Sequence, residues 1–129
     1  MVQESFLRAR TFAVAGASTD PAKYGHRVFL ALAKSGRTVY PLNPKAAEVA
    51  GHRAYASIGD LPLIPESLSI VTPPEVTRQV VADAIDAGVK HLWMQPGAEH
   101  ELAGQAARDA GLTVIDDGSC VLVALALGE

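Results

Sequence analysis

At 129 residues the chain has the size of one ordinary domain, with little room for a second core. Its side chains are 49% hydrophobic and only 5% aromatic, a balance that suits small-residue helices on a buried sheet and excludes a disordered or fibrous chain. A formal charge of −3 without any run of Lys or Arg excludes a protein that gains its affinity by neutralising nucleic-acid phosphates.

The chain opens on "MVQESFLRAR", which lacks the apolar segment of a secretory signal, and Cys120 is a single cysteine that cannot build an intrachain disulfide framework. A cytoplasmic protein is expected. Residues 11–16, "TFAVAG", form the first of five short β-branched runs of the kind that strands buried on both faces show. After them "PAKYGHRVFLALAKSG" predicts a helix, with Pro21 at its first position and Gly36 at its end.

"RTVYPLN" is the second strand. The segment "PKAAEVAGHRAYASIGDLPLIPES" that follows has no long amphipathic repeat and is punctuated by Gly and Pro, so it predicts short helical turns. "LSIVTPP" is the third strand, and "PEVTRQVVADAIDAG" the next helix, with Val76, Val80 and Ala84 on one stripe and Val81 and Ile85 beside it. "VKHLWMQPG", the helix "EHELAGQAARDAG" and the strand "LTVIDDG" complete the pattern, and Gly88 and Gly111 end their helices as Gly36 does. The apolar tail "CVLVALALG" is too short to cross a bilayer and is expected to pack on the core. Strands alternating with helices predict an α/β fold: a Rossmann-like parallel five-stranded sheet with helices on both faces, in a single domain over residues 1–129.

Ligands of such sheets bind beyond the carboxyl ends of the strands, where the strand order reverses. Here those ends carry Gly16-Ala17-Ser18-Thr19, Asn43-Pro44-Lys45, Thr72-Pro73-Pro74, Gln95-Pro96-Gly97 and Asp116-Asp117-Gly118. Gly16 lets backbone approach a ligand, Ser18 and Thr19 offer hydroxyls, and the following helix offers unpaired amides, a combination suited to a phosphate or diphosphate. The same small residues also suit any strand-to-helix turn. Lys23 and Arg27 either add charge at that turn or are solvated helix residues.

A dinucleotide binder would show G-x-G-x-x-G and an acid at the end of the second strand. This chain has neither, and Lys45 stands in the acid's place, which favours an extra phosphate on the ribose. Thr72, Pro73 and Pro74 present a flat wall for a base or a pantetheine-like arm, and the prolines also suit the start of a helix. Adjacent Asp116 and Asp117 point to opposite faces of a strand and do not make an acid/base pair. His26, His52, His91 and His100 lack metal-ligand spacing. Trp93 belongs in the core or borders the groove. Cys120 is either a small buried hydrophobe or a thiol near the rim, able to exchange with a ligand thiol.

The segments "VAGAS", "HRV", "YPLNPK", "VTPPE", "AIDAGVKHLWMQPGA" and "AGLTVIDDGSC", in this order and with the W-x-Q-x-G signature, resemble the small single-domain CoA-binding proteins. That family is similar to the N-terminal domain of the succinyl-CoA synthetase alpha subunit. The resemblance runs from Thr11 to Cys120, and it implies CoA or acyl-CoA across the strand ends. Gly16, Ala17, Ser18 and Thr19 would hold phosphate oxygens. Asn43, Pro44 and Lys45 would meet the adenosine and its 3′-phosphate, Thr72, Pro73 and Pro74 the base or pantetheine, and Gln95, Pro96 and Gly97 the remaining wall.

Two departures bear on this. The synthetase's second domain, with its phosphorylated histidine, has no counterpart in the sequence, and Ser119 stands where many family members carry an Arg before the cysteine. The expectation is therefore a non-catalytic CoA or acyl-CoA module acting as carrier, sensor or accessory subunit. Its partners would be the CoA ligand and a second copy or another protein, with no nucleic acid and no membrane. The alternatives are a nucleotide-dependent redox or transferase enzyme using Cys120, and a small NAD(P)-binding regulatory domain.

Overall fold

The computed structural model describes residues 2–128. Five strands form one parallel sheet: β1 (Thr11–Ala15), β2 (Thr38–Leu42), β5 (Ser67–Ile70), β6 (His91–Met94) and β7 (Thr113–Ile115). A separate antiparallel hairpin, β3 (Glu48–Val49) and β4 (His52–Arg53), lies between β2 and β5 in the chain. The helices are α1 (Val2–Leu7), α2 (Tyr24–Lys34), α3 (Pro74–Ala87), α4 (Glu101–Asp109) and α5 (Val121–Gly128). The Rossmann-like architecture expected from the sequence is thus the one found.

The sheet order is β2-β1-β5-β6-β7. From β1 the chain moves outward to β2, then returns past β1 to β5 and continues the other way, so the order reverses between β1 and β5. Alternation along β1 divides the core in two. Ala13 and Ala15 join the layer under α3 and α4, with Leu68, Ile70, Leu92 and Met94, and their small size lets that layer sit close. Phe12 and Val14 face α1 and α2, with Val28, Phe29, Leu32 and Trp93. Even the two buried serines of β5 are satisfied: Ser67 Oγ donates to the Phe6 carbonyl at 2.8 Å, and Ser69 Oγ accepts from Gln95 Nε2 at 3.1 Å.

Three local features lie outside the sequence-based expectation, and the expected packing of the apolar tail is found along one side of it. The N-terminal stretch forms α1, whose Phe6 is fully buried and meets Phe12 and Trp93 edge-on, at 5.6 and 5.2 Å between ring centroids. Six residues are too few to show a helical period, so packing rather than pattern creates this element. The segment after β2 is chiefly a hairpin, turned at Ala50 (φ 52°) and Gly51 (φ 82°), and helical geometry is confined to a 3-10 turn at Ile58–Asp60. Helix α2 starts at Tyr24, not Pro21, because Asp20 closes a turn by accepting from the amides of Ala22 (2.9 Å, by its side chain) and Lys23 (3.0 Å, by its carbonyl). The apolar tail is a helix that buries Val121 completely while leaving Val123 56% and Leu127 83% exposed, so it packs on the core along one side.

Candidate functional site

The turn after β1 is governed by two close approaches. Gly16 has φ +85°, and a Cβ there would fall 2.1 Å from the Val71 carbonyl oxygen, which presses the turn against the end of β5. A Cβ on Gly25 would fall 2.0 Å from the Gly16 carbonyl oxygen, so the first turn of α2 rests directly on the β1 turn. Gly25 is missed by the reading of the sequence, although a glycine in the first turn of a helix that follows a strand is the mark of close helix–strand contact.

That packing leaves the head of α2 open. Lys23 makes no side-chain cap, and the amides of Tyr24, Gly25 and His26 have no acceptor among the described residues. The intervening loop is rigid without blocking them. Ser18 Oγ accepts from the Asp20 amide at 3.1 Å, and His26 Nδ1 lies 2.8 Å from the Ser18 carbonyl oxygen. Thr19, Lys23 and Arg27 are exposed around this turn, while Ala17 is buried beneath it.

Asn43 ties the neighbouring strand end to the same turn: its Nδ2 donates to the Ala17 carbonyl at 2.9 Å, and its Oδ1 accepts from the amides of Lys45 and Ala46 at 2.8 and 3.2 Å. Pro44 and Lys45 are exposed beside it, and the Lys45 ammonium has no acceptor among the described residues. Beyond β5, Pro74 begins α3, and the hydroxyls of Thr72 and Thr77 meet at 2.7 Å. Pro73 and Pro74 are exposed, and they start a helix while facing solvent.

The W-x-Q-x-G segment splits in two. Pro96 and Gly97 are exposed at the end of β6, whereas Gln95 is fully buried. Its Nε2 donates to Ser69, and its Oε1 accepts from the Val121 amide at 2.9 Å and the Tyr24 hydroxyl at 3.2 Å. Trp93 Nε1 donates to the Ser119 carbonyl at 3.0 Å. Both side chains therefore fix residues 119–121, and with them the position of Cys120.

Cys120 is half-buried, with its Sγ 2.6 Å from the Tyr24 hydroxyl oxygen. Burial pushes the Tyr24 phenol well above its ordinary pKa, with the Cys120 hydrogen bond adding to the effect, so the phenol stays protonated. One hydroxyl proton cannot serve two acceptors. With it on Gln95, the thiol donates to Tyr24, giving a chain from Cys120 through Tyr24 to Gln95. Tyr24, unremarked in the sequence, thus joins the first turn of α2 to the start of α5.

The last strand end is occupied by its own contacts. Asp116 pairs with Arg108 at 2.6 Å against α4. Asp117 accepts from the Ser119 hydroxyl and amide at 2.6 and 3.0 Å, which hold its carboxyl below the usual range. Among the described residues no group of three or more His, Cys, Asp or Glu is placed to hold a metal ion, and no helix is long and apolar enough to cross a membrane.

The fold is that of a doubly wound α/β domain, with the open head of α2 beside the point where the strand order reverses. Residues 10–126 match the family model described as "CoA binding domain", and the chain belongs to that family. It is similar to the acetate–CoA ligase [ADP-forming] II subunit alpha of Pyrococcus furiosus, 38% identical over 86 residues that cover 66% of this chain and 19% of that protein. It is also similar to the acetate–CoA ligase [ADP-forming] II of Archaeoglobus fulgidus, 30% identical over 63% of this chain and 12% of that protein. The chain thus spans a fifth or less of the length of these curated relatives. Among solved structures it is similar to a hypothetical protein from Pyrococcus horikoshii OT3, with TM-score 0.89, 32% identity, and coverage of 95% of this chain and 85% of that one. A conserved hypothetical protein from Pyrococcus furiosus gives TM-score 0.82 and 39% identity, covering 89% of this chain and 98% of that one.

Proposed function

We propose that this chain binds coenzyme A or an acyl-CoA across the C-terminal ends of β1, β2 and β5, as a binding module rather than a catalyst. The contact between Gly16 and Gly25 carries the reading, because it sets the unpaired amides of α2 against the β1 turn, where they suit a diphosphate. Ser18, Thr19, Lys23 and Arg27 would add hydroxyls and charge there. Lys45, without a protein acceptor, suits the 3′-phosphate of the ribose, with Asn43 and Pro44 beside it. Thr72, Pro73 and Pro74 would border the base or the pantetheine arm, Pro96 and Gly97 the far wall. Gln95 acts from below by holding Cys120 and α5 in place.

Absence of chemistry is supported by what the reactive side chains are doing. Asp116 and Asp117 are engaged with Arg108 and Ser119, and the polar neighbour of Cys120 is a phenol held in its protonated form. The similarity to acetate–CoA ligases supports a role in acyl-CoA metabolism, which we propose is that of a cytoplasmic carrier or accessory subunit.

Calorimetric titration with CoA, dephospho-CoA, NAD and NADP tests this. Lys45→Ala should weaken CoA about tenfold, the loss expected for one charge-assisted contact, and leave dephospho-CoA nearly unchanged. Equal weakening of both would refute the 3′-phosphate contact, and binding of NAD or NADP alone would replace CoA with a nicotinamide cofactor. Cys120→Ser should keep the affinity for CoA.

A further inference from the structure

We infer that the groove between α3 and α4 binds a small carboxylate with an aliphatic tail. The groove has a volume of about 490 Å³ and lies on the outer side of the helix layer. That volume falls in the range of about 300–1,000 Å³ typical of small-molecule sites. Val81 and Ala103, both nearly inaccessible, form its floor, while Ile85 and Leu102 line its sides. Leu102 is 77% exposed on a helix whose other exposed positions are polar or alanine.

Two donors accompany the apolar trough. The Arg78 guanidinium lines it without any acceptor among the described residues, in contrast to Arg108 of α4, which is paired with Asp116. His100 caps α4 by accepting the Ala103 amide on Nδ1 at 3.1 Å, so its neutral ring carries the hydrogen on Nε2, a donor that likewise has no partner among the described residues. Glu75 lies three residues before Arg78 and Glu101 next to His100, and neither makes a bond to these donors. Recognition therefore rests on directed hydrogen bonds from a cation and a ring N–H, which a carboxylate accepts on its two oxygens.

A second copy of the chain is a poorer fit. A stable interface buries about 800 Å² on each partner, and Val76 and Leu102 are the large apolar side chains that α3 and α4 expose. This site is independent of the CoA reading, and ligand-free protein suffices to test it.

The experiment follows backbone amide resonances during titration with sodium octanoate, octanol and sodium acetate. Octanoate should shift Val81, Ile85 and Ala103, with octanol weaker by at least about tenfold, the share of one charge-assisted hydrogen bond, and acetate weaker because it has no apolar tail to bury. Arg78→Gln should bring octanoate down to the octanol level, and Ala106→Phe, which fills the groove from an exposed position, should abolish both. The spectra without ligand report whether each variant is folded. Equal binding of octanol and octanoate, insensitivity to Arg78→Gln, or no shift at these residues would overturn the assignment. Shifts that depend on protein concentration without octanoate would give the face to a second copy instead.

Discussion

Replacing Gly25 by alanine separates a contact-bearing glycine from an ordinary helical one by the sign of its effect. In an open helix interior Gly→Ala stabilises by about 1 kcal/mol, because alanine loses less backbone entropy on folding. At Gly25 the new Cβ would stand 2.0 Å from the Gly16 carbonyl oxygen and 3.0 Å from its carbon, both backbone atoms that no rotamer change can move. Restoring an ordinary contact requires α2 to retreat by roughly 1 Å or more, which strips contacts from Val28, Phe29 and Leu32 across a densely packed layer. Overpacking of this kind costs about 1–3 kcal/mol, enough to offset or reverse the propensity gain.

Gly104→Ala is the matched comparison. Its Cβ would come 2.7 Å from Asp116 Oδ2, the tip of a side chain that can turn aside. Urea denaturation of both variants, with CoA titration of each, reads the difference. Gly25→Ala should be the less stable and lose CoA affinity, whereas Gly104→Ala should bind CoA as the parent does. A Gly25→Ala protein that is more stable than the parent and binds CoA unchanged would refute the role given to this contact.

Three other outcomes are expected. Gln95→Leu leaves the Val121 amide and the Ser69 hydroxyl without their buried partner and should destabilise by about 2 kcal/mol in urea melts, with Cys120 becoming easier to alkylate; an unchanged midpoint would mean the amide is replaceable. Ala50→Asn should stabilise by about 1 kcal/mol, since Ala50 sits at positive φ before Gly51 in a hairpin turn that favours Asn-Gly, and a lower melting temperature would contradict that. For His91, burial lowers the folded pKa below the ordinary value near 6.5, against an opposing pull from Glu66. The unfolded chain then binds the proton more readily, so stability should be full above that value and decline as pH falls towards the folded pKa. His91→Gln should flatten this part of the pH–stability curve, and an unaltered slope would assign it to other groups.

The five parallel strands and three main helices were legible because the strands are apolar, β-branched runs and the helices are long enough to display their period, with Gly or Pro at or near their ends, as in "LSIVTPP" and "AIDAGVKHLWMQPG". Elements held by tertiary contact left no such trace. Phe6 defines α1 only by meeting Phe12 and Trp93, and the two-residue strands of the hairpin are too short to alternate. The loops at the strand ends were visible as clusters of small and polar residues. Their division of labour was not, since nothing in "WMQPG" says that the glutamine turns inward to β5 and α5 while the proline and glycine stay at the surface.

One atom of that inward-turned glutamine has a wider effect. Gln95 Oε1 serves both Tyr24, at the head of α2, and Val121, at the head of α5. An acceptor shared by two helices makes their order interdependent, so whatever tightens one raises the free energy of loosening the other. By thermodynamic reciprocity, if a ligand on α2 alters the affinity of a contact on the exposed side of α5, that contact alters the ligand's affinity by the same factor.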